Sequence, residues 1–256
     1  MAAARQPTTH ARGVGAVKLQ LLGNFAVLVA GSAVAVPPAG QRVLARLALG
    51  GGTATRSAVA GTLWPDHTQA RAQANLRGAV WRMPPAVRRR LVLGPSTVGL
   101  GDGWDVDVAT AERLARQLPA QENSVERLAR GLPAPDPETS AERFRHDLLP
   151  DWDEPWLLVE RERYRQLRLH ALEDLAEAEL AWGCPLGAID RALLAVTAEP
   201  LRESAQALLL RGHLAAGNRA AARAGYDAFQ ALLAAELGVA PSAELSALVA
   251  GLGRGR

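Results

Sequence analysis

The sequence predicts an α+β unit at the front of the chain and an all-α unit behind it, and three observations predict it. Alternating apolar residues open the chain, apolar positions at helical spacing follow, and from about residue 104 onward helical periodicity runs almost without interruption. The charge divides at nearly the same place. Residues 1–95 carry eleven Arg and one Lys against a single acid, Asp66, a formal +11, whereas residues 96–256 carry 17 Arg against 25 acids, a formal −8. A basic block of that size attracts a polyanion, most commonly nucleic acid, while the acidic block repels it.

At the front, "VKLQLL" (17–22) sets Val17, Leu19 and Leu21 against Lys18 and Gln20, and "FAVLVAGSAVAV" (25–36) is two apolar runs around a Gly31-Ser32 turn. Together they predict a small antiparallel sheet. After Pro37-Pro38 the period changes. Val43, Leu44 and Leu47 form one helical face that stops at Gly50-Gly51-Gly52. A second helix starts at a Thr55 cap, carries Val59 and Leu63 inward and ends at Trp64-Pro65.

A third helix starts near Asp66 or Thr68 and contains "ANLRGAVWRMPP" (74–85). At about 100° per residue, Ala72, Leu76, Val80 and Met83 share one side, while Arg71, Asn75, Gly78 and Arg82 form the opposite stripe. Arg and Asn are the side chains that pair bidentately with guanine and adenine edges, and glycine lets a backbone approach closely, so these four are the candidate base readers. Arg77 and Trp81 flank the stripe. Arg42, Arg88, Arg89 and Arg90 are candidate phosphate contacts. Pro84 cannot donate to the carbonyl of Val80 and disfavours a helical Met83, so the helix is expected to end near Met83 with its stripe complete. Leu91–Leu93 and Thr97–Leu100, separated by Gly94-Pro95-Ser96, then read as a hairpin with Ser96 and Thr97 as its polar tip. Three helices and a closing hairpin make a winged helix-turn-helix.

In the acidic block, "DVDVATAERLARQL" (105–118) is an amphipathic helix anchored by Leu114 and Leu118, "GLPAPDPETS" (131–140) is a Pro-rich loop, and a long helix begins near Pro155 with Leu158, Tyr164, Leu169, Leu172 and Leu175 apolar. Its charged run, Glu160 to Arg163 with Arg165, reads as a solvated face of mixed sign. Gly183 and Gly217 stand 34 residues apart, each before a helix, and Ala188 matches Ala222. Thirty-four is the tetratricopeptide period, although alanine-rich helices match one another at many offsets.

Catalytic readings find little support. Lys18, the one lysine, lies outside any phosphate-binding G-x-x-x-x-G-K-[ST] pattern, no G-x-S-x-G elbow occurs, and the five histidines and single cysteine have no metal-ligand spacing. No enzyme, metal or cofactor is expected. Asp102, Asp105 and Asp107 fit a turn and a helix N-terminus better than a calcium loop, because position twelve from Asp102 is Arg113. Cys184 alone excludes an internal disulfide and points to a reducing cytoplasm, where a DNA-binding protein would be nucleoid-associated. No apolar run is long enough for a membrane span, and residues 1–15 read as a disordered tail.

The stretches "GQRVLARLAL", "RSAVAGTLWPD" and "ARAQANLRGAVWRM" with the closing hairpin resemble the OmpR-type winged-helix domain of the Streptomyces antibiotic regulatory protein (SARP) family. "WDVDVATAERL", "DEPWLLVERER" and "ELGVAPS" resemble, in the same order, that family's bacterial transcriptional activation domain. The resemblance covers about residues 17–250 and implies a winged helix over 16–103 followed by a tetratricopeptide-like helical domain over 104–256. It further implies a third helix in the major groove, a wing at the minor groove, a homodimer on promoter direct repeats of double-stranded DNA, contact with RNA polymerase holoenzyme, and control of a secondary-metabolite (antibiotic) gene cluster without a phosphorelay. Two features depart from similar proteins. Pro84-Pro85 replaces a basic continuation of the helix, and the wing lacks arginine. A tetratricopeptide-like interaction module whose winged helix has lost DNA therefore stays open as the alternative.

Overall fold

The computed structural model describes residues 17–118 and 142–252, so the tail (1–15) and the Pro-rich loop (131–140) lie outside the described residues. The chain divides into two compact units. The first combines the stretch up to Thr110 with Leu149–Leu158; the second comprises Ala111–Leu148 and Val159 onward.

The first unit opens with β1 (Val17–Gln20), β2 (Ala26–Val29) and β3 (Ser32–Ala33). β1 and β2 pair antiparallel from Val17 opposite Val29 to Gln20 opposite Ala26, and Val17, Leu19 and Leu21 are fully buried as their alternation requires. The tight turn falls on Ala30-Gly31, both at positive φ, one residue earlier than Gly31-Ser32. The first helix, α1 (Pro38–Leu49), buries Val43, Leu44 and Leu47. β4 (Thr53–Thr55) leads into α2 (Arg56–Leu63), capped by the Thr55 hydroxyl, which accepts from the Ala58 N–H at 3.2 Å. α3 (Gln69–Arg82) follows, then a single helical turn, α4 (Pro85–Arg88), and the hairpin of β5 (Leu91–Leu93) and β6 (Thr97–Leu100). β6 also pairs with β4, making a second, three-stranded sheet.

β7 (Trp104–Val106) returns to lie parallel to β1, completing the four-stranded order β3-β2-β1-β7. The chain then enters α5 (Asp107–Gln117). The carboxylate of Asp107 accepts from the N–H groups of Leu21, Leu22 and Val108 at 2.7–3.0 Å. Burial raises its pKa above the ordinary range, and these backbone donors work against that rise.

Residues 149–158 are part of this same unit, although Leu149 comes 39 positions after Thr110 in the chain. The Leu149 N–H donates to the Leu21 carbonyl at 2.9 Å, Trp152 stacks on Phe25 with centroids 5.7 Å apart, and Glu154 takes Arg42 on both oxygens at 2.6 and 2.9 Å. The Trp156 indole N–H donates to the same carboxylate at 2.8 Å. Arg42 also donates to the Leu63 carbonyl at 2.7 Å and lies over the Trp64 ring.

The stretch 149–158 ends in a 3₁₀ turn at Pro155–Leu157 and the first residue of α6 (Leu158–Ala181), whose remainder belongs to the second unit together with α7 (Pro185–Ala198), α8 (Glu203–Ala215), α9 (Arg219–Leu237) and α10 (Ala243–Val249). Tyr164, Leu169, Leu172 and Leu175 are buried as read from the sequence, whereas Leu158 is exposed. The charged start of α6 is more than a solvated face. Arg161 donates to the Leu148 carbonyl, Arg163 bridges Glu160 and Glu112, and Arg165 pairs with Glu199. The 34-residue repeat is a repeat of structure. α6 and α8 end at Ala181 and Ala215, α7 and α9 begin at Pro185 and Arg219, and Ala188 and Ala222 are each fully buried. Gly183 and Gly217 occupy the left-handed region at φ 73° and 77°, reversing the chain where a side chain would be strained.

Candidate nucleic-acid interface

α3 owes its orientation to its buried side. Ala72, Leu76, Ala79, Val80 and Met83 are buried, so at about 100° per residue the outward direction falls between Ala74, Gly78 and Trp81. Arg71, Asn75 and Arg82 occupy one shoulder of that face and Arg77 the other; the three arginines are exposed and Asn75 is half-buried. Trp81 stands on the outward line itself, 73% exposed, rather than beside it. The gap expected over Gly78 is filled. The guanidinium of Arg82 folds back until its nitrogens lie 3.5–3.6 Å from where a Cβ would stand.

The helix stops where the prolines require. Met83 turns to extended backbone and its N–H reaches the Val80 carbonyl at 3.3 Å. Pro85 has no N–H for the carbonyl of Trp81, and Arg88 supplies one, its Nη1 donating to that oxygen at 2.7 Å while the guanidinium lies 4.7 Å from the centre of the Trp81 ring. Arg88 is thus spent on the end of α3.

Of the other cations expected at phosphates, Arg42 is held by Glu154 and the Leu63 carbonyl, and Arg90 is half-buried with its guanidinium against Gly103. Only Arg89 of the 88–90 run is fully exposed. The structure also presents residues that sequence reasoning passed over. A cleft of about 530 Å³ between α3 and the wing is lined by Arg56, Ser57, Gln73, Arg77 and the turn Gly94-Pro95-Ser96. Arg56 donates its Nε to the Gly94 carbonyl at 3.1 Å and its backbone N–H to Ser96 at 2.8 Å, which ties the wing to the start of α2. The signal was its place directly after the Thr55 cap, where an arginine projects from the first turn of a helix. Ser96 is exposed at the wing tip and Thr97 begins β6, half-buried. Among the described residues no cluster of metal-ligating side chains occurs, and no helix is long and apolar enough to cross a membrane.

Comparison with known proteins places this arrangement. Residues 106–252 match the bacterial transcriptional activator domain. The chain is 30% identical over 246 residues to the regulatory protein AfsR of Streptomyces coelicolor, covering 91% of this chain and 24% of that one. It is 28% identical over 207 residues to AfsR of Streptomyces griseus, covering 77% and 20%. The chain thus spans about a quarter of the length of these relatives. Among solved structures it is similar to Mycobacterium tuberculosis EmbR, determined in complex with a low affinity phosphopeptide, with a TM-score of 0.71 and 20% identity over 92% of this chain and 64% of that one, a likeness of fold. The matched region is that of a transcriptional activator rather than an enzyme. With the matched domain over more than half its length, the chain belongs to the bacterial transcriptional activator domain family.

Proposed function

We propose that this activator binds a specific promoter sequence through α3 and the wing. The observation that carries the reading is the acid-free outward face of α3, where Arg71, Arg77 and Arg82 stand exposed in a block with one acid in 95 residues. Arg71, Asn75 and Arg82 reach base edges, and Gly78, with no side chain of its own, gives the Arg82 guanidinium room to lie close to the helix. Arg77, Arg89 and Arg56 take phosphates on either side, with Ser96 and Thr97 at the wing. The two prolines cost this face nothing, because Arg88 replaces the missing donor beyond Arg82. The helical unit carries the contact to RNA polymerase and pairs copies on direct repeats, and the target is a secondary-metabolite gene cluster, as the resemblance to the SARP family implies.

Fluorescence-anisotropy titration of the full chain against promoter duplexes from its own gene neighbourhood, with a scrambled duplex as control, tests this at two salt concentrations. Specific recognition requires one fragment bound at least about tenfold more tightly than the scramble, with steeply salt-dependent binding to the latter. Arg82→Ala is expected to weaken the cognate duplex by about 1–3 kcal/mol and leave the scramble nearly unchanged. Equal binding to every duplex would leave the helical unit as the working part and make the chain an interaction module.

A further inference from the structure

Trp81 is the most exposed large apolar side chain of the first unit's described residues, at 73%, against 62% for Leu158 and 54% for Val92. An indole this open on a helix otherwise edged with arginine offers a large, stiff contact surface of the kind enriched at binding interfaces. Its neighbours on the outward line are Ala74 and Gly78, and the Arg82 guanidinium folds over Gly78, so Trp81 and the exposed Ala74 form a short apolar strip between cations on its two shoulders. The ring is also held in place. Arg88 stacks on it at 4.7 Å and is itself anchored to the Trp81 carbonyl at 2.7 Å, so part of the ordering needed for binding is already made in the free protein.

A phosphate backbone offers nothing to an apolar strip, and the floor of the major groove offers one apolar group, the C5-methyl of thymine. Given the DNA-binding reading above, on which this rests, we propose that Trp81 reads a thymine methyl in the major groove. The small side chain of Ala74 allows the approach, and Arg71, Arg77 and Arg82 supply the charge complementarity that brings the duplex to this face. Trp81 then sets specificity at a position that none of the arginines reads.

The test begins by enriching duplexes from a randomised library with the full chain. Each thymine of the enriched site is then replaced in turn by deoxyuridine, which removes the methyl and keeps the pairing edge. The wild-type chain is expected to lose about fourfold in affinity at one or two thymines, the worth of one buried methyl, and little elsewhere. Trp81→Ala should bind the thymine duplex about as weakly as its uracil counterpart and no longer distinguish them, whereas Trp81→Phe should keep part of the preference. Unchanged far-ultraviolet circular dichroism shows that the variants are folded. A wild-type chain indifferent to every uracil replacement, or a Trp81→Ala chain that still discriminates at the same position, overturns the role of Trp81 and leaves DNA binding intact. Absence of any enriched sequence with the wild-type chain removes the DNA-binding reading, and the role of Trp81 with it.

Discussion

At Gly78 the guanidinium of Arg82 occupies the space above a helical backbone that has no side chain of its own, at ordinary contact distance from a would-be Cβ. Gly78→Ala therefore fits in ordinary contact with Arg82, and it removes the conformational penalty of a glycine in mid-helix. The variant is expected to be more stable by about 0.5–1 kcal/mol in thermal unfolding, yet weaker on its cognate duplex, because the added methyl stands beneath the Arg82 guanidinium assigned to a base edge. Glu179 gives a second residue-scale prediction. It is 2% exposed, faces Arg191 at 3.4 Å with its other oxygen unpartnered, and a Cβ at Gly187 would overlap it. Burial, against the pull of Arg191, raises its pKa above the ordinary glutamate value of 4.5. The folded state then binds the proton more tightly than the unfolded chain, so the contribution of Glu179 to stability grows as pH falls into that window and is lost as pH rises through the raised pKa. The wild type should accordingly gain on Glu179→Gln in melting temperature between pH 7 and about 4.5. Gly187→Ala should cost about 1–3 kcal/mol despite alanine's better helix propensity, since it displaces a buried carboxylate from its arginine.

At the scale of the element, α3 is the informative case. Its start, its end at Arg82 and its buried side were legible in the sequence, because a 14-residue helix with apolar residues at helical spacing and a Pro-Pro stop carries its own boundary signals. What Arg88 does was not legible. Six residues separate it from Trp81, and α4 has no signal beyond the proline that starts it. Arg88→Ala is expected to fray the last turn of α3, lowering stability by about 1 kcal/mol and freeing the Trp81 ring, as quenching or polarisation of its fluorescence would report. β4 and β7 escaped notice for a related reason. Each is three residues long, too short for alternation to show, and each exists because a distant strand supplies its partner, β6 for Thr53–Thr55 and β1 for Trp104–Val106. Arg42 shows the same limit at the candidate site. Its charge marked it for a phosphate, and only the fold brings Glu154 to it from 112 residues away.

For the whole molecule, the charge asymmetry and the three cations assigned to phosphates, the exposed Arg77 and Arg89 and the half-buried Arg56, set a quantitative expectation. The slope of log K against log salt on duplex DNA should be about −3, and Arg89→Ala should reduce its magnitude by about one. The stretch 149–158 sets another. Glu154 is partly shielded, so Glu154→Ala leaves Arg42 with the Leu63 carbonyl alone and is expected to lower the unfolding free energy of the first unit by about 1–2 kcal/mol, measured in urea on the full chain. That stretch also bears on how such proteins can diversify. A single crossover between two related genes near codon 104 would pair one parent's Arg42, Phe25 and Leu21 with the other parent's 149–158, and the hybrid would inherit mismatched halves of one packing arrangement. Front ends can be traded intact only by recombination beyond codon 158 or by two crossovers that carry the short stretch along. If α3 reads the promoter as proposed, new preferences would be reached more readily by point substitution on its outward face, where Arg71, Ala74 and Trp81 are exposed and can change without disturbing the core beneath them.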